Sequence, residues 1–343
     1  MSSDNKIFEF IKSNDNNKLS QMSGDDIQDL IVLLNHYYIE YRDELSLDND
    51  TTFGLELEFE RVRKADVEKF LCDIGFYSWD VKGDMSLRLG SEINTPILRD
   101  SPYSWESLKR VCDYVSKKAV INKRCGGHIH IGAHVIENKL DTFLNFIKLW
   151  SCYENIIYRF SCGDYLSSRE GVLKYARPMA SEYKNDYNTY CDLCENVFDL
   201  AYYLSCGKHK AINFDKMSRN MDSNDSYKKD NTIEFRCPNG TLNPIIWQNN
   251  VNVFVKMLYY SKSSKFDNDL LLERINKNNY IYNLDSPETL KIYNEIFIDQ
   301  ALEFCDIVFD NNLDKINFLK QYFKNFKVNN NYKSFVKAKA LTK

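Results

Sequence analysis

The chain has 343 residues, of which 43% are apolar and 27% charged, and its net charge is −4. That is enough apolar sequence for one large core or two smaller ones, and too little positive charge to argue for a nucleic-acid partner. No run approaches the roughly 18 apolar residues of a membrane span, MSSDNKIFEF lacks a signal-peptide pattern, and the ten scattered cysteines are expected to be reduced thiols in a cytoplasmic protein.

Residues 1–50 read as helices. Ile7, Phe8, Phe10 and Ile11 share one helical face, and Ser23-Gly-Asp-Asp opens a helix through Ile27, Leu30, Ile31 and Leu34. This segment carries no chemical constellation and is expected to be a structural or partner-binding extension. Thr51–Glu60, TTFGLELEFE, then alternates strictly. Phe53, Leu55, Leu57 and Phe59 fall on one side, and Gly54, Glu56, Glu58 and Glu60 on the other. Period two predicts a half-buried strand. Its polar side carries three carboxylates spaced by about 7 Å. Like charges that close repel, so cations held between them are the simplest explanation; a solvated acidic edge strand is the alternative.

Ala65–Ile74 is helix-like, and Phe76–Leu89 reads as short strands and a turn that contains Asp84-Met-Ser86. Ser91–Pro96 is a short strand stopped by proline, with Glu92 and Asn94 on one face. Trp105–Ala119 is an amphipathic helix. Gly126–Val135, GGHIHIGAHV, is a second informative strand, with His128, His130, Gly132 and His134 on one face. Imidazole is a common metal ligand and a donor to phosphate; half-buried polar residues on a sheet are the plainer reading.

Lys139–Phe160 predicts a long amphipathic helix. The loop 161–180 carries Arg169, Lys174 and Arg177, which read either as a phosphate clamp or as surface charge. Asp186–Ser205 is helical. Cys191, Cys194, Cys206 and His209 imitate a zinc site, but the helix between the two pairs spans about 16 Å, too far for one tetrahedral ion. Lys208–Phe214 is a short strand, followed by a polar loop over 218–230. Asn231–Cys237, NTIEFRC, puts Thr232, Glu234 and Arg236 on one face and ends in the turn Pro238-Asn-Gly240. Helices follow from Asn243 to Ser261 and at Leu270–Leu272, Ile292–Ile298 and Ala301–Val308, before a lysine-rich tail. The expected division is a helical extension over 1–50, a core over 51–260 and a helical segment over 261–343.

In order along the chain stand Gly54-x-Glu56-x-Glu58, Asp84-x-Ser86, Glu92-x-Asn94-x-Pro96, Gly126-Gly-His128-x-His130 and Thr232-x-Glu234-Phe-Arg236. Together, from Phe53 to Pro244, these motifs resemble the amidoligase family, a branch of the carboxylate–amine ligases with the glutamine synthetase-like fold. The resemblance implies an α+β fold with a curved antiparallel sheet around ATP, and Mg²⁺ or Mn²⁺ between carboxylates and phosphates. Carried over by position, Glu56 and Glu58 are ligands to two different ions. Glu92 joins one site, and His128 and Glu234 join the other. His130 lies near the nucleotide, Arg236 against the γ-phosphate, and Asp84 and Ser86 on the amine or acyl side. Arg169, Arg177 and the segment Lys210–Asn213 close over phosphate or carboxylate.

The implied reaction is ATP-driven amide formation through an acyl phosphate, from small-molecule, peptide or protein carboxylates and amines. Two alternatives stay open. One is a non-catalytic nucleotide- or partner-binding protein on the same fold. The other is a metal-dependent amidohydrolase, suggested by His128-x-His130, although His134 and His209 are the only later histidines. Exposed helices at both ends leave room for a homo-oligomer. Glu60, at the strand end beside Arg61, is expected to be structural.

Overall fold

The computed structural model describes residues 18–137, 139–184, 193–204, 209–218, 231–278, 280 and 297–324. The first predicted helical face (Ile7–Ile11), most of Ile292–Ile298, Cys191, Cys206 and the lysine-rich tail lie outside these residues. Nine helices of two turns or more are described: α1 Gly24–His36, α2 Lys64–Asp73, α3 Pro102–Val115, α4 Leu140–Ser161, α5 Val197–Leu204, α6 Pro244–Ser261, α7 Asn268–Lys277, α8 Ile298–Val308 and α9 Asn312–Phe323.

Their starts are written in short polar side chains that accept the otherwise orphaned first-turn N–H groups. Ser23 caps α1 through Asp26 N at 3.2 Å. Ser101 and Asn243 cap α3 and α6, each with proline as the first helical residue. The all-helical expectation for residues 1–50 fails after His36, because 37–50 form no regular element. That stretch is tied down by side chains instead. The Asp100 carboxylate accepts from the N–H groups of Leu45 and Leu47, and Tyr41 donates to the Trp105 carbonyl.

One seven-stranded sheet holds the molecule together: β1 Thr52–Glu60, β2 Asp80–Gly83, β3 Gly90–Asn94, β4 Leu98–Arg99, β5 Gly127–Gly132, β6 Ile212–Asn213 and β7 Thr232–Phe235. The order is β2-β3-β1-β5-β7-β6, with β4 also on β1, and every pairing is antiparallel. This is the α+β class that the sequence predicts. The apolar side of β1 faces helices, and Phe53 stacks on Trp105 of α3 at 5.0 Å between ring centroids. Phe235 of β7 stacks on Phe254 of α6 at 4.2 Å and meets Phe146 of α4 at 6.0 Å. Each such buried side chain contributes about 1.5–3 kcal/mol. With helices packed on that face, the alternation leaves the polar side chains on the other.

β5 is shorter than predicted. Residues 133–136 wind into a 3₁₀ turn that carries His134 out of the strand, and its Nε2 hydrogen-bonds the Asp50 carbonyl at 3.0 Å. The histidine face therefore holds two rings, not three. The two ends of the described chain pack on one another. Leu19 and Ser20 donate their N–H groups to Asp306, Tyr37 donates to Asn317, and Arg42 pairs with Asp314 at 2.8 Å.

Candidate metal and phosphate centre

Strand register decides which polar side chains become neighbours. Glu58 stands opposite Glu92, Glu56 is flanked by Asn94 and His128, and Glu234 is flanked by His130 and Asn213. Five strands thus contribute to one polar patch. Glu58, His128, His130 and Glu234 are all buried there, exposed by 8% or less.

Glu56 organises the patch. Its Oε2 lies 2.7 Å from His128 Nδ1 and its Oε1 lies 2.8 Å from His130 Nε2. An ionised carboxylate only accepts, so each ring carries its proton on the nitrogen facing Glu56. Burial works to raise the Glu56 pKa, but the two imidazole hydrogen bonds outweigh it and hold the group well below the usual carboxylate range. His128 then presents Nε2, buried and without a hydrogen-bond partner, at 4.0 Å from Glu58 Oε1. On its other side, Nδ1 is 3.6 Å from Glu234 Oε1.

Two sets of donor atoms result, each lying within 4.8 Å of one another: Glu56, His128 and Glu234, and Glu58, Glu92 and His128. Glu56 and Glu58 fall in different sets, and His128 stands in both, where the resemblance gave it to one. Glu58 and Glu92 face each other across β1 and β3, where like charges destabilise a sheet. Burial, then Glu56, pushes the Glu92 pKa up to about 7. Burial also disfavours a charged His128, but the Glu56 hydrogen bond and neighbouring carboxylates raise its pKa. The orphaned Nε2 and the crowded carboxylates fit a divalent cation, and oxygen donors with one imidazole suit Mg²⁺ or Mn²⁺.

A cationic side adjoins this patch. Arg236 Nη1 donates to Glu234 Oε1 and its Nε reaches the Tyr175 carbonyl at 3.3 Å. Asn213 donates to the other Glu234 oxygen at 2.7 Å. Burial tends to raise the Glu234 pKa, but His128, His130 and Arg236 together hold it below its ordinary value. Arg169 is buried, with Nη2 on the Arg236 carbonyl at 3.0 Å and Nε without a partner. Its guanidinium lies on Gly126, where a Cβ would come within 2.7 Å of Nη1. The Gly126 N–H in turn donates to Glu58. The paired glycines of the GGHxH motif thus have a packing reason, since a Cβ on Gly127 would meet Trp247 at 2.7 Å.

The remaining expected site residues make other contacts within the chain. Asp84 and Ser86 lie in the turn after β2, where Asp84 accepts from the Ser86 N–H at 2.7 Å and Ser86 is exposed. Lys210 pairs with Glu182 at 3.2 Å. Arg177 is exposed, and its backbone bonds to His209 and Ala211. Asn213 joins the centre through its hydrogen bond to Glu234. Cys194 is buried, and α5 lies between it and His209.

Sequence reasoning missed Asn239. Its Oδ1 accepts from Arg169 N at 2.8 Å, and its Nδ2 donates to the carbonyls of Cys162 and Ser167. Asn239 thereby locks the loop that delivers Arg169. The Pro238-Asn-Gly240 turn was a visible signal, but nothing local says what its side chain holds. Likewise Glu60 is neutralised by Arg124 and Asn122, not by adjacent Arg61.

The polar face of this helix-backed antiparallel sheet gathers four glutamates, two histidines and two arginines, a donor set that could hold divalent cations. Residues 40–258, more than half of the chain, match the family model described as "Putative amidoligase enzyme". The chain belongs to that family. No curated protein matches the chain. Among the described residues, no helix is long and apolar enough to cross a membrane.

Proposed function

We propose that the protein is an ATP-dependent carboxylate–amine ligase of the cytoplasm, built on a glutamine synthetase-like sheet. The observation that carries this reading is the divided acidic cluster, with Glu56 and Glu234 on one side of His128 and Glu58 and Glu92 on the other. Mg²⁺ or Mn²⁺ held there would neutralise the triphosphate and the charge that develops during phosphoryl transfer.

The chain's own residues position the rest. Arg236 faces the γ-phosphoryl group, with the buried Arg169 guanidinium behind it. His130, tied to Glu56, orients beside the nucleotide. A substrate carboxylate oxygen takes the γ-phosphoryl group and ADP leaves. The amine nitrogen then attacks the acyl carbon, and phosphate departs with the electrons of the broken carbon–oxygen bond. The amine's proton passes to a base, for which Asp84 on the substrate side is the assigned carboxylate. Ser86 lines the same side, while Arg177 and Lys210 close over phosphate or carboxylate from the sheet edge. The amidohydrolase alternative loses support, because His134 leaves the strand and His209 sits against Tyr175.

The test incubates the protein with ATP, Mg²⁺ or Mn²⁺, and pools of small-molecule, amino-acid and peptide carboxylates and amines. ADP and new amide mass are followed. ADP release that needs both an amine and a carboxylate is the expected result. Amide hydrolysis without ATP, or nucleotide binding with no turnover, would overturn it. Glu58→Gln and Arg236→Ala should each abolish ADP formation while the circular-dichroism spectrum stays unchanged.

A further inference from the structure

Beyond Glu58, the end of β1 borders a second concavity. A cavity of about 210 Å³ is lined by Glu60, Arg61, Val120, Asn122, Lys123 and Arg124. That volume is below the usual range for drug-sized ligands and suits a carboxylate, a phosphate or an amino-acid-sized group. Its one carboxylate is already consumed. Glu60 accepts from Arg124 at 2.6 and 2.8 Å, from Asn122 at 2.6 Å and from the Arg88 N–H at 2.7 Å. Lys123 keeps a half-exposed pair with Glu170 at 3.5 Å, of a kind worth little in water. Arg61 has no carboxylate partner among the described residues. The wall is therefore net positive.

The backbone adds a second observation. Arg61 (φ 72°) and Leu89 (φ 51°) both adopt the left-handed region that favours glycine, and the Arg61 N–H donates to the Leu89 carbonyl at 3.0 Å. A non-glycine residue is strained there, and such strain concentrates at working sites. Glycine would relieve it and would lose the guanidinium. The place is also telling. Glu60 is two strand residues, roughly 7 Å, beyond Glu58, and Lys123 and Arg124 lead directly into Gly126, whose N–H holds Glu58.

We infer that this cavity is a pocket for a small oxyanion and receives a second anionic group of the substrate whose carboxylate is activated beside Glu58 and Glu92. The inference deepens the ligase reading and rests on it for the substrate's identity. The acyl donor is then a short dicarboxylate or a phosphorylated acid.

Calorimetry with succinate and with inorganic phosphate, in separate titrations without divalent ions or ATP, tests the pocket itself. The full chain is compared with Arg61→Gly combined with Lys123→Ala. That variant relieves the strained backbone, so loss of fold does not explain a loss of binding, and it leaves the Glu60–Arg124 pair intact. At least one probe should bind at millimolar concentration, and the double variant should weaken it by about 10- to 100-fold. Preference for succinate assigns the dicarboxylate, and preference for phosphate the phosphorylated acid. Neither probe binding, or equal binding by the variant, overturns the pocket. During turnover the same variant should raise KM for the carboxylate and leave KM for ATP unchanged. Succinate binding with no ADP formation by the wild type would remove the ligase reading while the pocket stands.

Discussion

Glu58 and Glu60 stand two residues apart on one strand and are equally buried, at 5% and 4% exposure. Their surroundings differ. Glu60 has a guanidinium, a side-chain amide and a backbone N–H, which together satisfy both its oxygens. Glu58 has the Gly126 N–H and, at 4.0 Å, the unpartnered nitrogen of His128, and it faces Glu92 across the sheet. A buried carboxylate with its own cation is a piece of structure. One that faces another carboxylate and an orphaned imidazole nitrogen fits the proposed cation site. Side by side, the two separate folding chemistry from site chemistry on a single strand.

The largest effect should come from breaking the satisfied half. Arg124→Met strands Glu60 as a buried, unpaired charge and should destabilise the protein by about 3 kcal/mol, the low end for buried pairs because Arg124 is partly exposed. Chemical denaturation measures the loss, and calorimetric Mn²⁺ binding by the Glu58 side should persist. Glu58→Gln should show the reverse pattern, with stability kept and metal binding lost. If Arg124→Met also abolished metal binding at a temperature where it is folded, the division between the two glutamates would fall.

A smaller effect tests the support behind Glu58. Gly126→Ala places a methyl group within 2.7 Å of the Arg169 guanidinium. Overpacking of this kind costs about 1–3 kcal/mol, and the displaced Arg169 should lower kcat more than it weakens Mn²⁺ binding.

A pH slope tests the acidic side of the comparison. Glu92, raised from 4.5 to about 7, binds a proton on folding between those values. In a chelator, stability should therefore fall as the pH rises from 4.5 to 7 and flatten above. Glu92→Gln should remove that slope in thermal melts. Glu56 has the opposite sign: held below its ordinary value, it contributes stability that is present above 4.5 and lost as the pH falls further.

Much of this was legible in advance. The alternation of β1 placed Glu56, Glu58 and Glu60 on one face, since successive strand residues must point to opposite sides. The same rule grouped His128 with His130, and Glu234 with Arg236. It overreached at His134, because period two says nothing about where a strand stops, and the 3₁₀ turn at 133–136 takes that ring away. Residues 37–50 misled for a related reason: their backbone is held by Asp100 and Trp105, residues that no local pattern connects to them.

By itself, the sequence determined the faces: which side chains of each strand go to the core and which to the polar patch, because that depends on a two-residue period and on burial of Phe53, Leu55, Leu57 and Phe59. It also determined two helix starts, through Ser23 and Asn243, whereas α3 begins at Pro102, three residues before the predicted Trp105. Only the tertiary structure decided partners. Register set Glu58 against Glu92 and Glu56 against His128, and chain crossings brought Arg124 to Glu60 and Asn239 to Arg169. Those contacts join residues tens of positions apart. A local period fixes a direction for each side chain, and only the folded chain fixes what it meets there.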